Sequence, residues 1–185
     1  VERAAALDDE RARAQFYGVP ARDEVLLAGA DGYLGDWNAR HLIAERSSLH
    51  VSRVEHLLGR YGSQIDELLH LMREQPDLRQ PIEGAPGYLR AEATYAASHE
   101  GALHLEDVLT RRTRISIETF DRGLGVVEEV AGLVSEPLGW SKEQVDLEIE
   151  HYRARVAAER ESQQQPDDET ADAARLGAPD GVPRT

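Results

Sequence analysis

The feature that most constrains the fold of this 185-residue chain is the three- and four-residue spacing of its aliphatic side chains. Such a spacing puts apolar groups on one face of an α-helix, because each helical residue turns by about 100°. The spacing recurs at 51–60, 63–74, 124–138 and 142–161, and almost no stretch reads as a strand. The chain is therefore predicted to be all-α, a compact bundle of six or seven helices.

Capping residues and loop formers indicate where these helices begin and end. Gly62 is a natural C-terminal stop, and Ser141 with Gln144 forms a capping box that opens the last helix. Residues 75–89 carry three prolines and two glycines, so a loop is expected there. Residues 102–111 are expected to form a regular helix.

Composition divides the chain into three parts. Residues 1–28 are predicted to be an N-terminal extension or linker that can form a short helix, and residues 29–161 a helical domain. Residues 162–185 are polar, acidic and rich in proline and glycine, which predicts a disordered acidic tail. The sequence begins at Val1 and has one methionine, Met72, so we expect it to be part of a longer protein.

Charge and cysteine content limit the classes of partner and site. With 35 acidic against 21 basic residues, the net charge is −14, which argues against nucleic acid as a partner. The chain has no cysteine, which excludes disulfides and cysteine-based zinc sites and fits a cytoplasmic location. No apolar run approaches the ~20 residues of a membrane span, so no direct membrane insertion is expected.

A metal site is the first chemical hypothesis for the segment 98–114. His99 and His104 are five residues apart, which separates them by ~140° on a helix and excludes the zinc-binding HExxH arrangement. Glu100, His104 and Asp107 do share a face of a regular helix and could bind a divalent metal. The alternative is a helix face whose acids pair with nearby arginines, which is favoured because no fourth ligand is identifiable.

Arg111, Arg112 and Arg114 form the densest basic patch of the chain. Guanidinium groups suit phosphate and carboxylate, so one interpretation is an anion site. The other, which the many nearby acids favour, is internal pairing. The predicted structural charge network consists of Glu92, Glu100, Asp107, Arg111, Arg112 and Arg114.

Nothing else in the chain predicts a catalytic or cofactor site. Gly29, Gly32 and Gly35 follow a short apolar run, but their GxxGxxG spacing differs from the GxGxxG of dinucleotide-binding folds. This cluster is therefore predicted to be a loop that leads into a helix. The remaining histidines are isolated, and no Ser-His-Asp arrangement can be assigned.

Several stretches together resemble the C-terminal helical domain of FAD-dependent glycerol-3-phosphate dehydrogenase. They are "GADGY…WN" (29–38), "RVEHLLGRYGS" (53–63), "YLRAEATYAASHEGALHLEDVLTRRTRI" (88–115) and "LGW" (138–140). The resemblance rests on polar identities that helical packing does not require: Glu92, Tyr95-Ala96, Glu100, Asp107-Val108-Leu109 and Arg111-Arg112-Thr113-Arg114. It extends from about residue 29 to residue 155.

The resemblance implies a function for a longer protein rather than for this segment. In the family, an N-terminal Rossmann-like domain binds FAD, oxidises sn-glycerol 3-phosphate to dihydroxyacetone phosphate and passes electrons to membrane quinone. The resemblance implies that this chain is a non-catalytic accessory domain without a cofactor of its own. Its partners would be the FAD-binding catalytic domain of the same polypeptide and a second subunit, with the parent peripheral on the cytoplasmic membrane face.

Two alternatives belong to other functional classes. One is a free-standing helical protein-interaction module. The other is a small metal-dependent enzyme that uses Glu100, His104 and Asp107.

Overall fold

A computed structural model of the chain describes residues 28–177. The described residues are mainly helical, which confirms the all-α prediction, and the backbone divides into two units after Leu69. Their eight α-helices, one more than the expected maximum, are α1 (Tyr33–Ser47), α2 (Val51–Tyr61), α3 (Ile65–Glu74), α4 (Arg90–Ser98), α5 (Ile115–Glu118), α6 (Val127–Leu138), α7 (Lys142–Ser162) and α8 (Asp168–Leu176).

The described part of the first unit contains α1, α2, a 3₁₀ turn (Gly62–Gln64) and the first half of α3. His50 caps α2, because its Nδ1 accepts the backbone N–H of Ser52 at 3.3 Å. Arg40 on α1 donates from Nε to Glu55 on α2 at 2.9 Å and so ties the two helices together. The predicted apolar faces are buried: Val54, Leu57, Leu58, Ile65, Leu68 and Leu69.

Two glycines of this unit touch through their backbones. The N–H of Ser63 donates to the carbonyl of Gly29 at 2.9 Å. Gly62 has a positive φ of 58°, and a Cβ there would overlap the carbonyl oxygen of Gly29. Gly29 therefore serves a tight contact between chain segments, consistent with a loop before α1.

In the second unit, the second half of α3 is followed by an element that the sequence did not predict. Residues 75–89, expected to be a loop, form a 3₁₀ turn (Pro76–Arg79) and an antiparallel hairpin of β1 (Pro81–Ile82) and β2 (Ala85–Leu89). Ile82 at the hairpin is fully buried. The loop prediction was wrong here because the irregular register, shifted between Pro81 and Ile82, hides the usual alternation of a strand.

The core of the second unit lies around α4, α6 and α7. α4 packs on α6, which in turn packs on α7. Every residue from Ala91 to Ala97 is buried, and the small side chains of four alanines among them allow close contact with α6. The main aliphatic members of this core are Leu105, Val108, Leu109, Ile115, Val127, Val130, Val134, Ile149 and Val156.

The region predicted as a disordered tail contains a helix. α8 packs on α7, and its Ala171 is buried. Asp167 caps α8, since its Oδ1 accepts the N–H of Thr170 at 2.8 Å. The prediction of disorder over 162–185 is thus corrected for Asp168–Leu176, where a short capped helix forms despite a polar composition.

The predictions for the two ends of the chain and for the extent of the helical domain are not tested by the described residues. The extension predicted over 1–28 lies almost entirely outside the described residues, as does the chain after 177. A single domain over 29–161 stays a prediction. No helix between residues 28 and 177 has the length and apolar character needed to cross a membrane.

Candidate functional site

The segment 98–114 does not form one regular helix. α4 ends at Ser98, and the ring of His99 stacks on Tyr95 with centroids 4.6 Å apart. Gly101 has a positive φ of 69°, and the chain is non-helical up to His104. After two helical residues, Leu105 and Glu106, a π-helix follows (Asp107–Arg112). The regular helix expected over 102–111 is therefore wrong.

The π-helix is closed by Thr113. Its backbone N–H and its Oγ1 both donate to the carbonyl of Val108, at 2.9 and 2.7 Å. A π-turn holds one more residue than an α-turn, so it lets Val108 and Leu109 enter the core while Arg111 and Arg112 stay exposed. Fully buried Thr113 supplies the hydrogen bonds that fix this geometry.

The three residues of the metal hypothesis do not share a helical face. Glu100 lies in the non-helical stretch, whereas Asp107 begins the π-helix. His104 and Asp107 instead make separate hydrogen bonds with protein groups. Among residues 28–177 no group of three or more histidine, aspartate or glutamate side chains is placed to hold a metal ion. The assumption of one regular helix behind this hypothesis is thus corrected by the break at residues 99–104.

His104 is bound by a carboxylate that the sequence reasoning missed. Glu148 on α7, only 1% exposed, accepts from Nδ1 of His104 at 2.7 Å. Its second oxygen accepts the N–H of Leu105 at 3.1 Å. One buried carboxylate therefore binds α7 to the 99–106 connection, the residues between α4 and the π-helix. A signal was available, because Glu148 lies three residues after Val145 and four before Tyr152, on the apolar face of α7.

Asp107 and Arg111 form the centre of the observed ion pairs. The Asp107 carboxylate accepts from the N–H groups of Leu103 and His104, at 3.1 and 3.2 Å, and from Arg111. Burial by itself would raise the pKa of Asp107. The backbone hydrogen bonds and the Arg111 guanidinium outweigh that effect and hold the pKa below its ordinary value of 3.8.

Glu106 extends this cluster to α7. Arg111 lies 3.3 Å from one of its oxygens, and Arg155 of α7 lies 3.6 Å from the other. Glu148 and the Glu106–Arg155 pair therefore attach the segment 103–111 to α7, whereas the contacts of Asp107 stay within that segment.

The other members of the predicted charge network have different positions. Glu92 is fully buried and accepts the N–H of Leu89 at 2.9 Å, which caps the start of α4. Glu100 is half-buried, and Arg112 is exposed. Arg114 is also exposed, has a left-handed φ of 66°, and forms none of the salt bridges found within the described residues. A single network of all six residues stays a prediction.

A second ion-pair cluster, also missed, lies at the hairpin. Glu129 on α6 accepts the N–H of Glu83 at 2.9 Å and Nε of Arg90 at 2.7 Å, and Arg90 also pairs with Asp77. Hydrogen bonds to Glu129 and Asp77 raise the pKa of Arg90 above its already high ordinary value. This cluster joins the hairpin, α4 and α6, and its partners are too far apart in sequence to be paired by spacing.

The chain was also compared with known proteins. The family model of the C-terminal domain of alpha-glycerophosphate oxidase matches residues 22–145. A glycerol-3-phosphate dehydrogenase of Mycobacterium leprae (strain TN) is 51% identical over 168 residues, which cover 88% of this chain and 29% of the relative. Glycerol-3-phosphate dehydrogenase 2 of Mycobacterium tuberculosis (strain ATCC 25618 / H37Rv) is 48% identical over 184 residues, which cover 96% and 31%.

More distant relatives carry the same name. A glycerol-3-phosphate dehydrogenase of Synechocystis sp. (strain ATCC 27184 / PCC 6803 / Kazusa) is 30% identical over 105 residues, 56% of this chain and 19% of the relative. No solved structure matches the chain. The chain spans about 30% of the length of the two mycobacterial relatives.

Proposed function

The chain belongs to the family of the C-terminal domain of alpha-glycerophosphate oxidase, and on that premise we propose that it is the accessory helical domain of a flavin-dependent glycerol-3-phosphate dehydrogenase. The observation that carries the proposal is the identity of 48–51% to dehydrogenases of that name over 88–96% of this chain. These relatives are about three times as long, which leaves room in them for a catalytic part.

The contacts of the segment 98–114 support an accessory role. Asp107 and Glu148 accept backbone N–H groups, Glu92 caps a helix, and Arg111 pairs with neighbouring acids. These charged groups connect elements of the second unit, so their chemistry is accounted for by packing. The structural interpretation of the segment is therefore preferred to the metal-dependent enzyme.

The parent protein would oxidise the secondary alcohol of sn-glycerol 3-phosphate to the ketone of dihydroxyacetone phosphate. FAD would take up the two electrons and two protons that leave the alcohol, and quinone would reoxidise it. We place the flavin and the substrate on the catalytic part of the same polypeptide, at the cytoplasmic face of the membrane. This chain would cover or stabilise that part.

The test is made on the whole gene product that contains this chain. We expect the purified protein to show flavin absorbance, to lose it on addition of sn-glycerol 3-phosphate, and to reduce a soluble quinone analogue. sn-Glycerol 1-phosphate serves as the control substrate and should react far more slowly. A colourless protein that oxidises no glycerol phosphate would overturn the proposal and leave the free-standing interaction module.

A separate measurement tests the accessory role. In the whole protein, Glu148→Ala should lower the melting temperature, because it removes the anchor of the 99–106 connection. KM for sn-glycerol 3-phosphate, measured well below that temperature, should stay unchanged. A large rise in KM with an unchanged melting temperature would instead place this chain at the substrate.

A further inference from the structure

A cleft of about 340 Å³ in the second unit contains three arginine side chains. Arg122 precedes α6, Arg155 lies on α7, and Arg175 lies near the end of α8. Two carboxylates, Glu106 and Glu159, also line it, so the charged side chains of the lining sum to +1, three positive against two negative. Asp172, which pairs with Arg175, lies outside that lining, so the arginines and their partner acids together are neutral in a chain of net charge −14.

The three guanidinium groups have many donors that no protein group uses. Each carries five N–H groups. Arg122 donates from Nη1 to Glu159 at 2.7 Å, and Arg175 donates from Nη1 to Asp172. Nε of Arg155 lies 3.6 Å from a carboxylate oxygen of Glu106. Most of their N–H groups therefore have no acceptor among residues 28–177. A guanidinium with spare donors on a cleft wall is suited to an oxyanion.

Arg122 is held in place before any ligand binds. Its φ of 63° is left-handed, a conformation that a residue with a Cβ adopts at a cost of about 1 kcal/mol. Its carbonyl accepts from the Tyr152 hydroxyl at 2.6 Å. Burial raises the pKa of Tyr152 to about 12, so this hydroxyl stays protonated and remains a donor. Backbone strain of this kind is typical of functional positions.

The same cleft has an apolar side. Ile117 of α5 and Val156 of α7 line it beside the arginines. A ligand with one strongly charged end and a small apolar body would satisfy both kinds of wall, and the volume lies within the range of small-molecule sites.

We propose that this cleft binds a small phosphate monoester, with Arg122, Arg155 and Arg175 around the phosphate and the organic group against Ile117 and Val156. A phosphate presents three terminal oxygens and nearly two negative charges at one point, so it can accept from more of the guanidinium groups that line the cleft than a single carboxylate can. The site is separate from the segment 98–114. It depends on neither the flavin chemistry nor the substrate of the proposed function.

Binding is measured by calorimetric titration of the 185-residue chain with phenyl phosphate, at neutral pH and low ionic strength. We expect saturable one-to-one binding that weakens as salt is added. Phenyl sulfate has the same shape and one negative charge less, so it should bind more weakly. Inorganic phosphate lacks the apolar body and should bind more weakly too.

Two substitutions on α7 form a matched pair. Arg155→Gln removes a lining guanidinium and should weaken binding about tenfold, the size of a lost charged hydrogen bond. Arg153→Gln, two residues earlier, removes an exposed arginine that pairs with Glu128 away from the cleft and should change binding less than about twofold. Should Arg155→Gln fail to melt cooperatively, Arg175→Gln on α8 replaces it with the same expectation.

One further variant is expected to act in the opposite direction. Glu159→Gln removes the carboxylate that competes for Arg122, so binding should tighten several-fold. Absence of saturable binding, equal losses in Arg153→Gln and Arg155→Gln, or weaker binding in Glu159→Gln would each overturn the proposal. None of these outcomes bears on whether the whole gene product oxidises glycerol 3-phosphate.

Discussion

At the residue scale, the second unit depends on carboxylates that accept backbone N–H groups. Glu148, Asp107, Glu129 and Glu92 each do so, and the first three also bind a basic side chain. Removing such a buried acid leaves its N–H donors without an acceptor. The cost of these unsatisfied donors exceeds the net contribution of the hydrogen bond itself.

Glu148→Ala should therefore be strongly destabilising. It leaves the N–H of Leu105 and Nδ1 of His104 without their acceptor, so we expect a loss of about 2–4 kcal/mol in the free energy of unfolding. Denaturant unfolding measures this. Glu150→Ala, exposed on the same helix, should stay within about 0.5 kcal/mol of the unsubstituted chain. Equal stability of the two variants would show that the buried contact contributes nothing.

Asp107 should make stability depend on acidity. Its folded pKa lies below the ordinary 3.8, so its contribution is present above that pH and is lost as pH falls through the folded pKa. Asp107→Asn should lower stability at pH 7, and the difference from the unsubstituted chain should shrink below about pH 4. Unfolding is followed at several pH values, with exposed Asp146→Asn as the control. A difference that grows in acid would contradict the assignment.

At the element scale, the apolar spacing predicted α2, α3, α6 and α7 because each buries a stripe of apolar side chains, whereas α1 buries only Ala44. Three elements could not be predicted in this way. The hairpin has an irregular register, the π-helix is selected by buried Thr113 and by the core, and α8 is mostly polar. Glu148 was overlooked because its partners, His104 and Leu105, are brought close only by the tertiary fold.

The junction between α2 and α3 gives a prediction about glycine. Gly62→Ala should destabilise by about 2 kcal/mol or more, because the new Cβ meets the Gly29 carbonyl and φ is positive. Gly59→Ala lies within α2, where nothing would meet the added methyl, and should stabilise by about 0.5–1 kcal/mol. Thermal melting compares the two. A stabilising Gly62→Ala would show that this backbone contact does not form.

At the scale of the whole molecule, the net charge of −14 dominates. Its self-repulsion should be relieved by salt, so the melting temperature should rise between about 0.02 and 0.15 M NaCl. Glu150→Lys changes an exposed residue and reduces the net charge to −12, since one negative charge becomes one positive. Its melting temperature should respond less to salt. A fall in melting temperature with salt would show that attractive ion pairs outweigh the repulsion.

The backbone at Arg122 has a consequence for how this chain can evolve. The backbone conformation by itself would favour glycine there, since glycine adopts the left-handed conformation without a steric penalty. Glycine would also discard the guanidinium that faces the cleft. Selection for thermal stability would thus favour glycine at position 122, whereas selection for ligand binding would favour arginine. Laboratory evolution under heat, with no ligand selection, should find Arg122→Gly among the first accepted changes.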